Sequence, residues 1–477
     1  MLEGRRPHFI GGAWREPAEG AWFPTYDPAD GSVLAEVARG GEADVAAAVA
    51  AARAAFPAWA DRFGAERGRI LWDIARRIRA EAEALAALET RNTGKPLRQA
   101  RADVEVAARY FEFYAGAADK WGGRTIPVPS PFLDYTLREP LGVCAEIIPW
   151  NYPLQIGARA IAAPLAVGNT VVLKPAEEAP LTVLELARIA AEAGVPPGVL
   201  NVVAGYGPEA GAALARNPGI DHLTFTGSVE VGREVMAAAA RNIVPVLLEL
   251  GGKSPNVVFP SADLERAIPI IANAVVQNAG QTCSAGSRLL VHRAVHDEVV
   301  ERLAAHFRRL SVGPGLADPD VGPLISAAQY ARVRGFLEQA EREGVRVRAD
   351  TPVPAAGWFV PPTVLDGVAP ASVLFREEIF GPVVAVTPFA DEEEAVRLAN
   401  GTPYGLVAAV WTRDLGQGHR VARRIRAGQV FLNAYGAGGG VEMPFGGFGQ
   451  SGFGRQKGLE ALEHYTQVKN VAVWWGD

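Results

Sequence analysis

An α/β fold, with parallel strands covered by helices, is what this sequence predicts, and three observations predict it. From residue 141 onward, short Val/Leu/Ile runs alternate with amphipathic helical segments, the texture of strands joined by crossover helices. A second series of the same kind follows the glycine pair Gly251–Gly252, which sets the expected boundary between two units. The chain of 477 residues, 49% hydrophobic and 21% charged, can bury more than one core and predicts roughly two to four domains.

Taken in order, residues 43–60, 65–91 and 97–118 carry helix periodicity in Ala, Arg, Glu and Leu, so the chain is expected to open with helices. Residues 122–140 fit neither texture and read as a β-rich arm. In the first α/β series, "LGVCAEIIPW", "TVVLKP", "VLNVVAG", "HLTFTGS" and "VPVLLELGG" read as strands. The segments "LTVLELARIAAEAG" and "VEVGREVMAAAARN" are its helices. The second series runs from "ADLERAIPIIANAVVQNAG" and "RLLVH" through "GPVVAVTPF", "GLVAAVWT" and "GQVFLNA". The closing "HYTQVKNVAVWWG" is a second β-rich segment, whose terminal aromatics suit an oligomer contact.

Composition excludes several function classes. A net charge of −6 with interspersed signs and no Lys/Arg block argues against a nucleic-acid or membrane surface and leaves small molecules as partners. Two cysteines, Cys144 and Cys283, cannot build a disulfide framework or a Cys-rich site, and no metal is expected. The opening "MLEGRRPHFIGGAW" lacks an apolar signal region, and the run at 154–173 is broken by Arg159, Pro164 and Asn169. A cytoplasmic location is expected.

Two Gly-rich turns are candidates for a phosphate. "GYGPEAG", with Gly205, Gly207 and Gly211, is one residue too long for the dinucleotide fingerprint. "FTGSVEVG" follows a strand and opens a helix, so the amides around Gly227 and Ser228 can hold a pyrophosphate; the alternative is a plain turn with Ser228 as N-cap. Lys174 and Glu177 stand just past a buried strand. An acid there accepts from ribose hydroxyls and repels a 2′-phosphate, favouring NAD over NADP, unless the pair belongs to a solvated loop.

Cys283 sits in "QNAGQTCSAGS", a small-residue loop rather than the aliphatic setting of a structural cysteine. A thiolate reachable there is a strong nucleophile. None of the seven histidines forms a Cys/His signature with it. Glu249 ends an apolar strand before two glycines, where partial desolvation would raise its pKa toward that of a general base; a strand-end Glu facing water is the alternative. Asn151, between Trp150 and Tyr152, can donate to a developing oxyanion or simply bond its own turn.

Together "PWNYP", "VVLKPAEEAP", "FTGSVEVG", "LELGGKSP", "GQTCSAG", "EEIFGPV" and "PFGGFGQSGFGR" resemble the NAD(P)-dependent aldehyde dehydrogenase superfamily, in family order over nearly the whole chain. The resemblance implies that Cys283 is the nucleophile, Glu249 the base for the deacylating water, and Asn151 the oxyanion donor alongside the Cys283 N–H. It places Lys174 and Glu177 on the adenosine ribose, Gly227 and Ser228 on the pyrophosphate, and Glu378 and Phe380 on the nicotinamide ribose. It extends the cofactor wall to Ile148, Pro149, Trp150, Gly207, Gly211, Phe225 and Leu250, and the substrate pocket to Tyr152, Arg159 and Phe445.

The implied fold is a Rossmann-like NAD-binding domain (1–121 and 141–250), an α/β catalytic domain (251–440) and a β oligomerisation arm (122–140 and 460–477). The implied assembly is a homodimer or homotetramer. Relatives of this kind oxidise an aldehyde through a thioester on the cysteine.

Departures from the family pattern are Val229 for a frequent Thr, Gln456 for a frequent Glu, and the glycines Gly438–Gly440 where an aromatic often lines the tunnel. Arg159 is the most informative. It resembles the residue that meets the carboxylate in succinic semialdehyde dehydrogenases, although much of the chain looks closest to the betaine/aminoaldehyde branch. A polar or carboxylate-bearing aldehyde is therefore expected, with a betaine or aminoaldehyde as the alternative and a helix-surface or interface Arg159 as the plain reading. A non-catalytic structural homologue would have no need to retain Cys283, Glu249 and Asn151. An enzyme passing the acyl group to coenzyme A would commonly lack Glu249.

Overall fold

The computed structural model describes residues 4–436 and 440–476. Val143–Ile147, Thr170–Lys174 and His222–Thr226 are buried at every position, as strands covered on both faces are. The polar residues among them are buried too, and Glu146 Oε1 accepts from Thr224 Oγ1 at 3.1 Å and from Tyr465 Oη at 3.0 Å. They belong to an eight-stranded sheet whose five parallel strands run, in space, Val246–Glu249, His222–Thr226, Val143–Ile147, Thr170–Lys174, Leu200–Val202. Antiparallel strands close both edges: Gly452–Phe453 on one side, His8–Ile10 and Ala13–Arg15 on the other.

The chain leaves Val143–Ile147 toward one edge and returns to its other side at His222–Thr226. That reversal opens a crevice beyond the carboxyl ends of these two strands, where open α/β sheets bind ligands.

The second sheet has seven strands, in the order Arg346–Arg348, Thr363–Asp366, Val383–Phe389, Arg288–His292, Pro255–Val258, Val407–Trp411, Gln429–Leu432. All but the first are parallel. A third, antiparallel sheet joins Thr125–Ile126, Phe132–Pro140 and Thr466–Trp474. It leaves Phe132, Leu133, Leu137, Val468, Val473 and Trp474 exposed.

Three expectations are corrected. The chain does not open with helices: strands between Arg5 and Ala38 precede the first helix, Glu42–Ala60. Each is six residues or shorter, and strands so short are fixed by their pairing partners rather than by their own period. The periodic run 65–91 is two helices, Gly64–Ala80 and Ala82–Thr93, broken at Glu81 with φ −107°. Both halves pack on the helix Leu97–Ala117, so the buried stripe continues across the break. The expected arm at 460–477 begins with a helical turn, Glu460–His464, before its strand. Among the described residues no helix is long and apolar enough to cross a membrane.

Candidate active site between the two sheets

A cleft of about 1100 Å3 lies between the large sheets. Pro149, Trp150 and Asn151 reach it from the loop after Val143–Ile147, and Gly227 and Ser228 from the turn after His222–Thr226. Cys283, Glu378 and Phe380 line it from the opposite side. The loops meet directly: the Trp150 and Phe380 rings pack edge to face with centroids 5.4 Å apart.

Glu249 is set by pairing on both sides, with Thr226 as its partner in one strand and Gly452 in the other. Its side chain lines the cleft while only 2% exposed, and among the described residues neither carboxylate oxygen has a hydrogen-bond partner. Burial pushes the carboxyl up to about 8 against the opposing pull of Arg159, Arg455 and Lys457.

The two glycines after Glu249 allow close approach rather than an unusual φ. A Cβ on Gly251 would lie 2.3 Å from Glu378 Oε2, and one on Gly252 would lie 2.5 Å from the Cys283 carbonyl oxygen. The Gly252 N–H donates to Glu378 Oε1 at 3.0 Å. Burial raises Glu378 to about 7, with the Gly252 bond and Lys253 opposing.

The Cys283 loop is entered through Asn278, Ala279 and Gly280, all with positive φ (51°, 54° and 73°). Gly280 is required there, since a Cβ would lie 2.0 Å from the Gly381 carbonyl oxygen. Asn151 Nδ2 donates to Gln281 O at 3.0 Å, and Asn278 Nδ2 donates to Asn151 O at 2.9 Å. A carbonyl acceptor fixes which end of the Asn151 amide is nitrogen, and its second N–H remains to donate elsewhere. Cys283 opens part of its surface to the cleft. The protein packed around its sulfur nevertheless pushes the thiol up to about 12; Glu378 and Glu249 add to the rise and Arg159 opposes it.

Arg159 is not on a helix surface. It is buried, lines the cleft, and lies over the Phe445 ring at 5.8 Å. Its Nε has no hydrogen-bond partner among the described residues, and a desolvated guanidinium in that state is poised for an anion. Tyr152 and Phe445 line the same cleft.

Other residues singled out in the sequence lie beside the cleft. Gly227 stands against the Phe225 ring, where a Cβ would come within 2.4 Å, and Gly232 packs on Leu250 just as closely, at 2.7 Å. Ser228 caps the helix Val229–Ala240, accepting from Val231 N; the Gly227 N–H is not free, since it donates to Glu249 O at 3.0 Å. Lys174 Nζ and Glu177 Oε2 pair at 2.8 Å, and the Gly207 N–H donates to Glu177 Oε1 at 3.4 Å. Burial pulls Glu177 upward, but Lys174 together with the Glu177 and Gly207 amides offsets it and leaves the carboxyl below its ordinary value. Gly211 faces the Lys174 stem, and Ile148 N–H donates to Lys174 O at 3.1 Å. These form a second cluster at the strand end, apart from Cys283. Of the three glycines expected to widen the entrance, Gly440 lines the cleft, while Gly438 and Gly439 lie outside the described residues.

Sequence reasoning missed the residues that hold the 378–380 loop. Gln329 Nε2 donates to Phe380 O at 2.7 Å and Arg332 Nη2 to Glu378 O at 2.8 Å, while Phe380 sits at φ 59°. Nothing local to Gln329 or Arg332 marks them, since they lie on the helix Ala327–Arg342, remote in sequence from that loop. Lys253 was also unmarked: its buried Nζ has no hydrogen-bond partner among the described residues, and burial with Arg288 nearby lowers it to about 7. Among the described residues no group of three His, Cys, Asp or Glu could hold a metal.

A dinucleotide-type crevice facing a cysteine, a buried carboxylate and a side-chain amide defines a class of protein built for chemistry on a small carbonyl compound. The family model for the aldehyde dehydrogenase family matches residues 14–471, and the chain belongs to that family. It is 43% identical over 472 residues to a betaine aldehyde dehydrogenase of Bacillus subtilis, covering 97% of this chain and 96% of that one. Among solved structures it resembles a Burkholderia cenocepacia protein assigned to the aldehyde dehydrogenases (56% identity, TM-score 0.98, 98% and 100% coverage). It also resembles an aldehyde dehydrogenase from Bacillus cereus in its NAD+ complex (43% identity, TM-score 0.96, 98% and 96% coverage).

Proposed function

We propose that this chain oxidises an aldehyde to its carboxylic acid with NAD, using Cys283 as nucleophile, Glu249 as base and Asn151 as oxyanion donor. The observation that carries the reading is that these three side chains, from three separate segments, line one cleft together with the Gly227 turn and Glu378.

The residues present fit the dinucleotide. Gly227 and Ser228 line the cleft at the N-terminus of Val229–Ala240, where a pyrophosphate is favoured, Glu378 offers a carboxylate to ribose hydroxyls, and the Lys174–Glu177 pair does so at the adenosine end. When bound, NAD supplies the hydride acceptor that converts the adduct on sulfur into a thioester. The Cys283 thiol releases its proton to solvent, its thiolate adds to the carbonyl carbon, and the oxyanion accepts from Asn151 Nδ2 and the Cys283 N–H. Glu249 then takes a proton from the water that cleaves the thioester, releasing the acid and restoring the thiol. Covalent catalysis divides one hard step into two easier ones.

A buried, partly unpartnered Arg159 in this pocket favours a substrate with a carboxylate or other polar far end. The similarity to a betaine aldehyde dehydrogenase supports a betaine or aminoaldehyde as the second reading. Glu177 favours NAD over NADP. The exposed apolar side chains of the arm suit a homodimer or homotetramer, in which residues 1–121 with 141–250 bind NAD and 251–440 carry the nucleophile. A cytoplasmic site of action completes the reading.

Replacing Cys283 with Ser should abolish turnover while leaving NAD binding intact. Substantial aldehyde oxidation by that variant, followed by NADH absorbance, would overturn the assignment.

A further inference from the structure

Tyr152 follows Asn151 and Thr282 precedes Cys283, and the two side chains join through a 2.8 Å hydrogen bond between Tyr152 Oη and Thr282 Oγ1. Against the ring lies an ion cluster with no step in the proposed reaction, of which Asp103 and its partner Gln155 also line the cleft. Lys95 Nζ donates to Glu89 Oε1 at 3.1 Å and to Asp103 Oδ2 at 2.5 Å, and stands 4.3 Å from the centroid of the Tyr152 ring. The side chains of Lys95 and Glu89 are fully buried, and that of Asp103 is 7% exposed.

The other carboxylate oxygens are also engaged: Thr182 Oγ1 donates to Glu89 Oε2 at 2.6 Å, and Gln155 Nε2 to Asp103 Oδ1 at 2.9 Å. An ammonium has three N–H bonds to place. Two go to carboxylates and the ring face takes the remaining side of the cation, an attraction that strengthens when desolvated. Burial pushes the Lys95 ammonium down, but Asp103 and Glu89 outweigh it and hold the group above its ordinary value. A polar network this completely satisfied holds its members in one geometry.

We infer that Lys95 is a positioning residue for the nucleophile: its ammonium fixes the Tyr152 ring, and Tyr152 through Thr282 fixes the loop that presents Cys283. This rests on the reading of Cys283 as nucleophile. The clamp works alongside the Asn151–Gln281 and Asn278–Asn151 bonds, so the oxyanion and nucleophile segments are tied together at three points. Lys95 itself touches no reacting atom.

The test is a double-mutant cycle read by iodoacetamide alkylation of Cys283, with Cys283→Ser as the blank, and by kcat and KM. Tyr152→Phe keeps the ring and removes the hydroxyl. Lys95→Met is made with Glu89→Gln and Asp103→Asn, since removing the cation alone would leave bare buried carboxylates. Each arm should lower the alkylation rate and kcat roughly five- to tenfold, the worth of one lost hydrogen bond, with the KM for NAD unchanged. Combined, they should lower both little further, because they interrupt one path.

Multiplying effects, or an unchanged alkylation rate in either arm, would overturn the proposal. Should the neutral cluster not fold, Lys95→Arg, which keeps the charge but not the compact ammonium seated between the carboxylates and the ring, should slow alkylation in the wild-type background and little further in Tyr152→Phe; an unchanged or a multiplying effect would again overturn the proposal. Turnover by Cys283→Ser would instead break the functional reading, so the two failures are distinguishable.

Discussion

The Gly252 N–H donates to Glu378 Oε1 at 3.0 Å, joining the segment just after Glu249 to a loop 126 residues further along the chain. The same two glycines that admit the carboxylate also admit the Cys283 backbone. A side chain at either position therefore reaches a different part of the site. Gly251→Ala would place its Cβ 2.3 Å from Glu378 Oε2 and should raise the KM for NAD roughly tenfold, about 1.4 kcal/mol of lost binding. Gly252→Ala, pressing on the Cys283 carbonyl, should lower kcat instead. Steady-state kinetics with each variant would separate the two, and an unchanged KM for NAD in Gly251→Ala would remove Glu378 from the cofactor site.

The raised pKa of Glu249 gives the pH dependence its sign. A carboxyl at about 8 is protonated at neutral pH and cannot accept a proton from water. Deacylation should therefore climb with pH, roughly tenfold per unit below pH 7, and level off above pH 8. Glu249→Gln should abolish that limb and lower kcat by about two to four orders of magnitude. A first-turnover burst of NADH should survive in the variant, because thioester formation precedes the step it blocks. Absence of the burst would place Glu249 elsewhere in the cycle. A wild-type reaction that stalls without coenzyme A would refute hydrolysis.

Arg159 tests the substrate. In the wild type, kcat/KM for succinic semialdehyde should exceed that for betaine aldehyde. Arg159→Ala should lower the former by roughly 2 kcal/mol of transition-state binding, within the range for a charge-assisted pair. The quaternary ammonium aldehyde should lose little. If the preference is untouched by the substitution, the carboxylate-binding role is dead.

Glu177 tests the choice of dinucleotide. Its carboxyl is held ionised by Lys174, and a 2′-phosphate would meet that negative charge. Glu177→Gln should narrow the NAD over NADP ratio of kcat/KM by roughly tenfold, a loss of about 1.4 kcal/mol of discrimination. A ratio that does not move would place the ribose away from Glu177.

Much of the frame was legible because buried parallel strands are rich in Val, Leu and Ile and alternate with amphipathic helices, as around 143–147, 170–174 and 222–226, although Glu146, Lys174 and His222 stand within them. Ser228 as an N-cap, one of the two readings of its turn, was legible because a Ser between a strand and a helix can accept from the helix's first free N–H groups. The short N-terminal strands were not, since two to six residues carry no usable period. Nor was the facing of Arg159: the helix Pro153–Ala166 is buried almost all round, so it has no polar side from which a direction could be read.

By itself the sequence determined the alternation of strands and helices from residue 141 onward, and that a glutamate ends one of those strands while a cysteine and an asparagine stand in loops. Only the tertiary structure decided that Glu378 meets Gly252, that Arg159 looks into the cleft, and that Lys95 lies beneath Tyr152. The physical reason is range. Burial and capping leave their mark within a few residues, whereas the packing of two sheets brings together side chains whose own neighbours in the chain carry no trace of the meeting.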